Sequence, residues 1–244
     1  MKLYGLMGYP LTHSFSKTFF TQKFSDLNLT DHYYFNFPLQ EIAHFPVFIK
    51  NHPSIQGLNI TIPHKQQITK FLHRLHPQAD KAKAVNTIKI HQNKIIGYNT
   101  DVPAFQQTLL PFLTSSVNNA LILGTGVASA AVQLVLNNLQ IPFKVASRNP
   151  TENQISYSQI TPQFLARHLL IVNTTPLGMH PHINQKPLLP YHALTPQHIL
   201  YDLIYNPAET EFLKEGKGKK AITINGLQML IAQAELSWQI WKEK

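Results

Sequence analysis

Along the first hundred residues apolar positions recur with two alternating periods. Residues 3–7 form a short strand-like run that ends in Gly8-Tyr9-Pro10. Phe19, Phe20, Phe24 and Leu27 then fall on one face of a helix, with Ser14 or Ser16 as its N-cap. An aromatic strand is predicted at 32–37, followed by a helical stretch at 39–51 that Pro46 breaks. Asn59, Ile60, Thr61 and Ile62 alternate polar and apolar, the pattern of a half-buried strand, and Pro63 suits the first turn of a helix running to about residue 75. Two β runs, 85–90 and 94–98, flank Gln92-Asn93 as a hairpin. Asn99-Thr100-Asp101 opens a further helix through residue 113, with Asp101 as its N-cap.

The texture changes after the polar stretch 115–119, which reads as a boundary. Leu121-Ile122-Leu123 is a buried-strand run leading into Gly124-Thr125-Gly126-Val127-Ala128-Ser129 and an alanine-rich helix to residue 139. A strand, a glycine turn and a helix in that order are the context of a dinucleotide fingerprint. Gly124 permits the tight turn, Gly126 admits a pyrophosphate to the backbone, and Ser129 keeps the third position small for helix packing. The helix N-terminus supplies N–H groups to the phosphates. The next strand, 143–147, ends in Ser147-Arg148-Asn149, where an NAD site would carry a carboxylate; an arginine suits a 2′-phosphate and points to NADP. Strands at 169–172, 199–203 and 221–224 follow, and the last helix, from Gly226, carries Leu227, Leu230, Ile231, Ala234, Trp238 and Trp241 as a core stripe. The alternation predicts an α/β chain with a mainly parallel sheet and helices on both faces.

Composition narrows the chemistry. The chain has 244 residues, 43% of them hydrophobic, enough for one large domain or two ordinary ones. It has no cysteine, which removes disulfides, thiol nucleophiles and thiolate metal sites. Its 13 histidines are scattered, with His73 and His76 on an expected helix end, and no metal site is predicted. No apolar run reaches membrane-spanning length, and a soluble, cytoplasmic protein is expected. The net charge of +9 comes from dispersed Lys and Arg, dense only at 214–220, where interleaved glycines suggest a surface turn. Dispersed charge fits attraction of anionic small molecules better than nucleic acid. Lys65, beside Thr61 at the end of the 59–62 strand, stands where α/β proteins gather ligand groups and can act as a charge or a proton donor.

Ser14-Phe15-Ser16, Asn59 through Lys65, Ala84-Val85-Asn86-Thr87, Asn99-Thr100-Asp101, the Gly124 loop, Asn173-Thr174-Thr175, Tyr201-Asp202 and Asn225 through Leu230 stand together in one order. In that combination the chain resembles the shikimate dehydrogenases, over nearly its whole length. The resemblance implies an N-terminal α/β substrate domain and a Rossmann-like NADP-binding domain. It implies a discontinuous division, 1–103 with 225–244 for substrate and 104–224 for cofactor. It also implies reduction of 3-dehydroshikimate to shikimate with NADPH, in the route to aromatic amino acids. By the same resemblance Ser14, Ser16, Thr61, Asn86, Asp101, Tyr205 and Gln233 hold the substrate, and Lys65 with Asp101 is the acid/base. The cofactor is assigned to Gly124, Thr125, Gly126, Val127, Ala128, Ser147, Arg148, Asn149, Thr174, Leu203, Gly226 and Met229. Val127 stands where many members carry a glycine, and Val102-Pro103 follows Asp101 where a glycine is common. A monomer or homodimer is expected, without nucleic-acid or membrane partners. Two other readings are a relative acting on quinate with NAD, and a catalytically silent nucleotide-binding protein.

Overall fold

The structure, a computed structural model, describes residues 1–11 and 14–243. The chain runs through β1 (Lys2–Gly8), α1 (Phe15–Asp26), β2 (His32–Pro38), α2 (Phe45–Asn51), β3 (Ile55–Ile60), β4 (Arg74–Leu75), α3 (Pro77–Ala82), β5 (Thr87–His91) and β6 (Lys94–Tyr98). It continues through α4 (Asp101–Leu109), β7 (Ala120–Leu123), α5 (Val127–Asn138), β8 (Phe143–Ser147), β9 (Gln154–Ser156), α6 (Pro162–Leu165), β10 (Leu170–Asn173), β11 (Ile199–Asp202), α7 (Glu211–Gly218), β12 (Ile222–Ile224) and α8 (Leu227–Lys242). These make two compact units, Met1–Asp101 with Gln233–Lys244, and Val102–Ala232. The chain therefore changes unit inside α4 and again inside α8, and the polar loop 115–119 lies within the second unit.

The first unit is built on a six-stranded sheet in the order β2-β1-β3-β5-β6-β4. β1 is parallel to β2 and β3, while β5 runs antiparallel to β3 and β6. The β5–β6 hairpin turns through Gln92 and Asn93, both at positive φ (49° and 59°), as a tight hairpin turn requires. Ser14 caps α1 by accepting the Lys17 N–H at 3.1 Å, and Phe20 and Phe24, one turn apart, carry its buried face. They join Tyr4, Tyr34, Trp238 and Trp241 in an aromatic cluster, which brings the C-terminal half of α8 onto the sheet. Met7, Phe45, Leu58, Ile60, Ile68, Val85 and Ile88 form a second cluster. Because alternate residues point to opposite faces, strands between the two clusters are covered on both sides.

That covering corrects the reading of β3 as half-buried: Asn59, expected on a wet face, is 4% exposed. The helix expected after it is absent as well. His64 donates its N–H to the Thr61 carbonyl, and the Val85 N–H claims the Lys65 carbonyl at 2.7 Å, the acceptor a continuing helix would offer to residue 69. Pro63 therefore sits in a turn, with only a short 3₁₀ segment at Gln67–Phe71 beyond it, and His76 caps α3. At 39–51 the interruption precedes Pro46, which occupies the first turn of α2.

The second unit is a fully parallel sheet, β12-β11-β10-β7-β8-β9, the Rossmann-like order of an α/β fold. Its strands β7, β10 and β11 are buried at every residue, as both-face coverage demands. Of the lysine-rich stretch 214–220 expected as a surface turn, residues 214–218 belong to helix α7, and only Lys219 and Lys220 turn. Thr210 caps the helix, Lys214 pairs with Glu211, and Gly216 lets it lie against β11: a Cβ there would stand 2.7 Å from Leu200. The stripe of α8 is core only from Ala234 onward, and Leu227 is exposed.

Gly57 of β3 faces the Trp241 indole, and a Cβ at this glycine would stand 2.2 Å from the Trp241 ring nitrogen. That nitrogen donates to the Ile88 carbonyl at 2.9 Å, so the ring cannot retreat without losing the bond. Gly57→Ala should therefore lower stability by about 1–3 kcal/mol, the usual cost of overpacking. Urea unfolding monitored by tryptophan fluorescence checks this; an unchanged midpoint would show that the ring yields freely.

Candidate functional site

In the first unit the polar residues collect where β1, β3 and β6 end and β5 begins. Tyr98 closes β6, and its carbonyl receives the Asn86 N–H at 3.1 Å; the Asn86 carbonyl receives the Ile60 N–H at 2.8 Å. Thr61 follows β3, tied to β1 by its N–H to the Met7 carbonyl at 2.9 Å. Gly8 permits this approach, since a Cβ there would lie 2.4 Å from the Thr61 methyl. Ser14 and Ser16 stand at the start of α1, just after β1. Such an edge, at the carboxyl ends of strands, is where α/β folds bind ligands.

Lys65 and Asp101 meet there. The Lys65 ammonium donates to Asp101 Oδ2 at 2.7 Å, with side-chain exposures of 23% and 14%, so the pair is half-sheltered and still reachable by a ligand. The other carboxylate oxygen, Oδ1, accepts from the Asn86 amide at 2.8 Å. The orientation of that amide is not ambiguous. Asn86 Oδ1 lies 2.7 Å from the Thr100 N–H, which can only donate, so Nδ2 must face Asp101. Asp101, expected as an N-cap, is instead the first residue of α4 with its carboxylate spent on Lys65 and Asn86. Next to Lys65, His64 is buried, and its Nε2 faces the Leu39 carbonyl, so that nitrogen carries the proton.

Behind this edge lies a buried polar network that the sequence reading did not assign. Asn59 accepts the Tyr34 hydroxyl at 2.8 Å and donates to Ser237 of α8 at 2.9 Å and to Thr87 at 3.3 Å. Burial pushes the Tyr34 phenol well above the usual value. Polar residues inside strands flanked by apolar neighbours were the available signal. Gln233, one turn before Ser237, is half-buried and offers its carbonyl to the Ser237 hydroxyl at 2.8 Å.

In the second unit the glycine loop follows β7 directly. Gly124 has φ +103°, and a Cβ there would meet Thr174 and Thr175 at 2.9 Å. Thr174 holds the loop's base by donating its hydroxyl to the Leu123 carbonyl at 2.7 Å. At Gly126, the N-cap of the 12-residue helix α5, no described atom lies within 4 Å of where a Cβ would stand, so the backbone is open to a phosphate. Ser129 is wholly buried, as the third position requires, and the half-exposed Val127 takes the first helical position. These features fit a dinucleotide's pyrophosphate. Arg148 and Asn149 are exposed beyond β8, with the Ser147 hydroxyl accepting the Asn149 N–H at 3.2 Å. Leu203 follows β11, and its carbonyl would lie 2.1 Å from a Cβ at Gly226, so only glycine fits there. Met229 is half-buried one turn on, and Tyr205 is exposed.

Asp202, at the end of β11, ties these loops together. It accepts the Asn173 amide at 3.0 Å, the Ile204 N–H at 3.1 Å and the Thr210 hydroxyl at 2.6 Å. Asn173 in turn receives the Thr175 N–H and hydroxyl, so one carboxylate organises the segments after both β10 and β11. Burial pushes the Asp202 carboxyl up to about 6, against the three hydrogen bonds that lower it. Among the described residues no three metal-binding side chains come together, and no helix is long and apolar enough to cross a membrane.

Comparison with known proteins gives a consistent picture. A family model described as the shikimate dehydrogenase substrate binding domain matches residues 6–88. The shikimate dehydrogenase (NADP(+)) of Methanococcus maripaludis is 37% identical over 261 residues, covering 98% of this chain and 91% of its own. A crystal structure of a shikimate dehydrogenase in complex with NADP+ is 33% identical with a TM-score of 0.86, covering 99% of this chain and 90% of its own. That of the Thermus thermophilus enzyme, in complex with NADP(H) and shikimate, is 26% identical with a TM-score of 0.88, covering 99% and 94%.

The raised Asp202 value has a definite consequence. Its folded pKa of about 6 lies above the roughly 3.9 of an exposed aspartate, so the folded chain binds this proton more tightly than the unfolded one. The stabilisation from that proton is complete below about pH 4 and is lost as pH rises through 6. A carboxyl-carbon NMR titration should place the Asp202 midpoint near 6. A midpoint at or below about 4 would show that the three donors outweigh burial.

Proposed function

This chain belongs to the shikimate dehydrogenase family, and from that membership we propose that it reversibly reduces 3-dehydroshikimate to shikimate with NADPH. The observation that carries the reading is the Lys65–Asp101 pair, held by Asn86 at the sheet edge of the unit that the substrate-domain match covers. The first unit takes the substrate and the second takes NADP. Ser14, Ser16, Thr61, Asn86, Asp101 and Gln233 would hold the substrate's carboxylate and hydroxyls, and Tyr205 matches a tyrosine that closes over substrate. On this reading the enzyme works in the cytoplasm as a monomer or homodimer, without nucleic-acid or membrane partners.

Reducing a ketone needs a hydride at carbon and a proton at oxygen. The bound dinucleotide supplies the hydride. Lys65 supplies the proton from its ammonium and takes it back in the reverse direction, and Asp101 keeps that ammonium aimed and binds the neighbouring hydroxyl. Gly124, Thr125, Gly126, Val127 and Ala128 would hold the pyrophosphate with backbone N–H groups. Ser147, Arg148 and Asn149 would hold the 2′-phosphate, and Thr174, Leu203, Gly226 and Met229 would flank the nicotinamide. The excess positive charge of +9 draws both anions toward the protein.

NADPH consumption with 3-dehydroshikimate tests the activity directly, and repetition with NADH tests the cofactor. A chain that binds NADPH but turns over no 3-dehydroshikimate would contradict the reading. Arg148→Ala removes a charge-assisted contact to phosphate, a loss worth about 1.5–3 kcal/mol. It should raise the KM for NADPH by about tenfold or more and leave that for NADH nearly unchanged. Equal effects on the two cofactors would remove Arg148 from cofactor choice.

A further inference from the structure

Thr87, the first residue of β5, is wholly buried and can touch no ligand, yet its hydroxyl is the most connected polar atom behind the site. It lies 2.8 Å from Ser237 Oγ, 3.2 Å from Asn86 Oδ1, 3.3 Å from the Asn59 amide and 3.5 Å from Thr100 Oγ1. The proton count directs these contacts. Ser237 donates to the Gln233 carbonyl, which can only accept, so Ser237 Oγ is left to accept from Asn59 and Thr87. Thr87 accepts from Asn59 and shares its own proton between Ser237 and Asn86. Asn86 is the group that orients Asp101, and Ser237 lies one turn from Gln233 on α8.

We propose that Thr87 is a positioning residue for the reaction: its buried hydroxyl joins the α8 turn bearing Gln233 to the Asn86 amide that aims Asp101 at Lys65. This rests on the dehydrogenase reading above and names the part of the scaffold that sets its acid/base pair. A hydrogen-bonded network buried in an apolar surround fixes geometry strongly, because a member left unsatisfied carries its full desolvation cost. Thr87 adds no contact to substrate or cofactor. Its effect therefore falls on the proton-transfer step and on the pH at which that step operates, not on NADP binding.

The test compares Thr87→Val, which keeps the shape and removes the hydroxyl, with Thr87→Ser, which keeps the hydroxyl. Both are assayed as full chains beside the wild type for kcat, for the KM of each substrate, and for the pH profile of kcat/KM. Thr87→Val should lower kcat by about tenfold, the scale of one lost orienting hydrogen bond, shift the pH profile, and leave the NADPH KM unchanged. Thr87→Ser should restore most of the turnover and the wild-type profile. Ser237→Ala removes the other end of the same bond without adding volume, and it should repeat the kcat loss if the valine variant fails to fold. Combined with Thr87→Val it should add little, because both act through one network. Wild-type kcat and pH profile in Thr87→Val or in Ser237→Ala would overturn the proposal. Equal impairment of the valine and serine variants would do the same, since that traces the effect to packing. A wild-type chain inert toward 3-dehydroshikimate is a separate result, and it removes the functional reading together with the inference built on it.

Discussion

Lys65 and Asp101 come from segments 36 positions apart, and holding them 2.7 Å from each other at a half-sheltered sheet edge constrains most of the first unit. A charge pair out of bulk water is stable only where its remaining valences are met. Asn86 meets one by donating to Asp101 Oδ1, and the Thr100 N–H fixes which end of Asn86 points that way. Lys65 depends on the backbone too: Val85 takes its carbonyl, which stops the chain from coiling into a helix and leaves the side chain at the edge. The strand order, with β5 running antiparallel between β3 and β6, brings Asn86 and Asp101 to the ends where Thr61 and Lys65 stand.

The same logic explains the polar residues inside the apolar packing. Tyr34, Asn59, Thr87 and Ser237 lie among Tyr4, Phe20, Trp238 and Trp241, where an unpaired donor would cost about 1–3 kcal/mol. Each has a partner, and the chain of partners runs from Tyr34 to Asn86. In the second unit Asp202 plays the comparable part for the loops after β10 and β11, with Thr210 also capping α7. Both units thus fix the segments after their strands with buried side chains that hydrogen-bond to one another.

Much of this was legible in the sequence where one local rule dominates. The glycine loop declares itself because Gly124 needs a positive φ and Gly126 an open backbone, and both needs are met by local geometry. The hairpin at Gln92-Asn93 and the cap at Ser14 are equally local. Asn59 misled because alternation reports one wet face, whereas the two core clusters cover both; that depends on α8, whose Ser237 is 178 positions further along the chain. The helix expected after Pro63 failed for a similar reason, since the bond from Val85 to Lys65 is a tertiary contact that propensity does not register. The glycines at 216 and 218 suggested a turn, but one of them is the contact surface of α7 on β11. The motifs marked Lys65, Asn86 and Asp101 as residues of interest, and only the fold shows that they touch.

The claim on which the rest depends is that Lys65 and Asp101 work as one acid/base unit. A double-mutant cycle on turnover, with Lys65→Met, Asp101→Asn and the combined variant, measures this most directly. Each single change should cut turnover by about a hundredfold or more, with the fold and NADPH affinity nearly intact, and the combined loss should fall well short of the product. Near wild-type turnover in a folded Lys65→Met protein, or losses that multiply in full, would contradict the account.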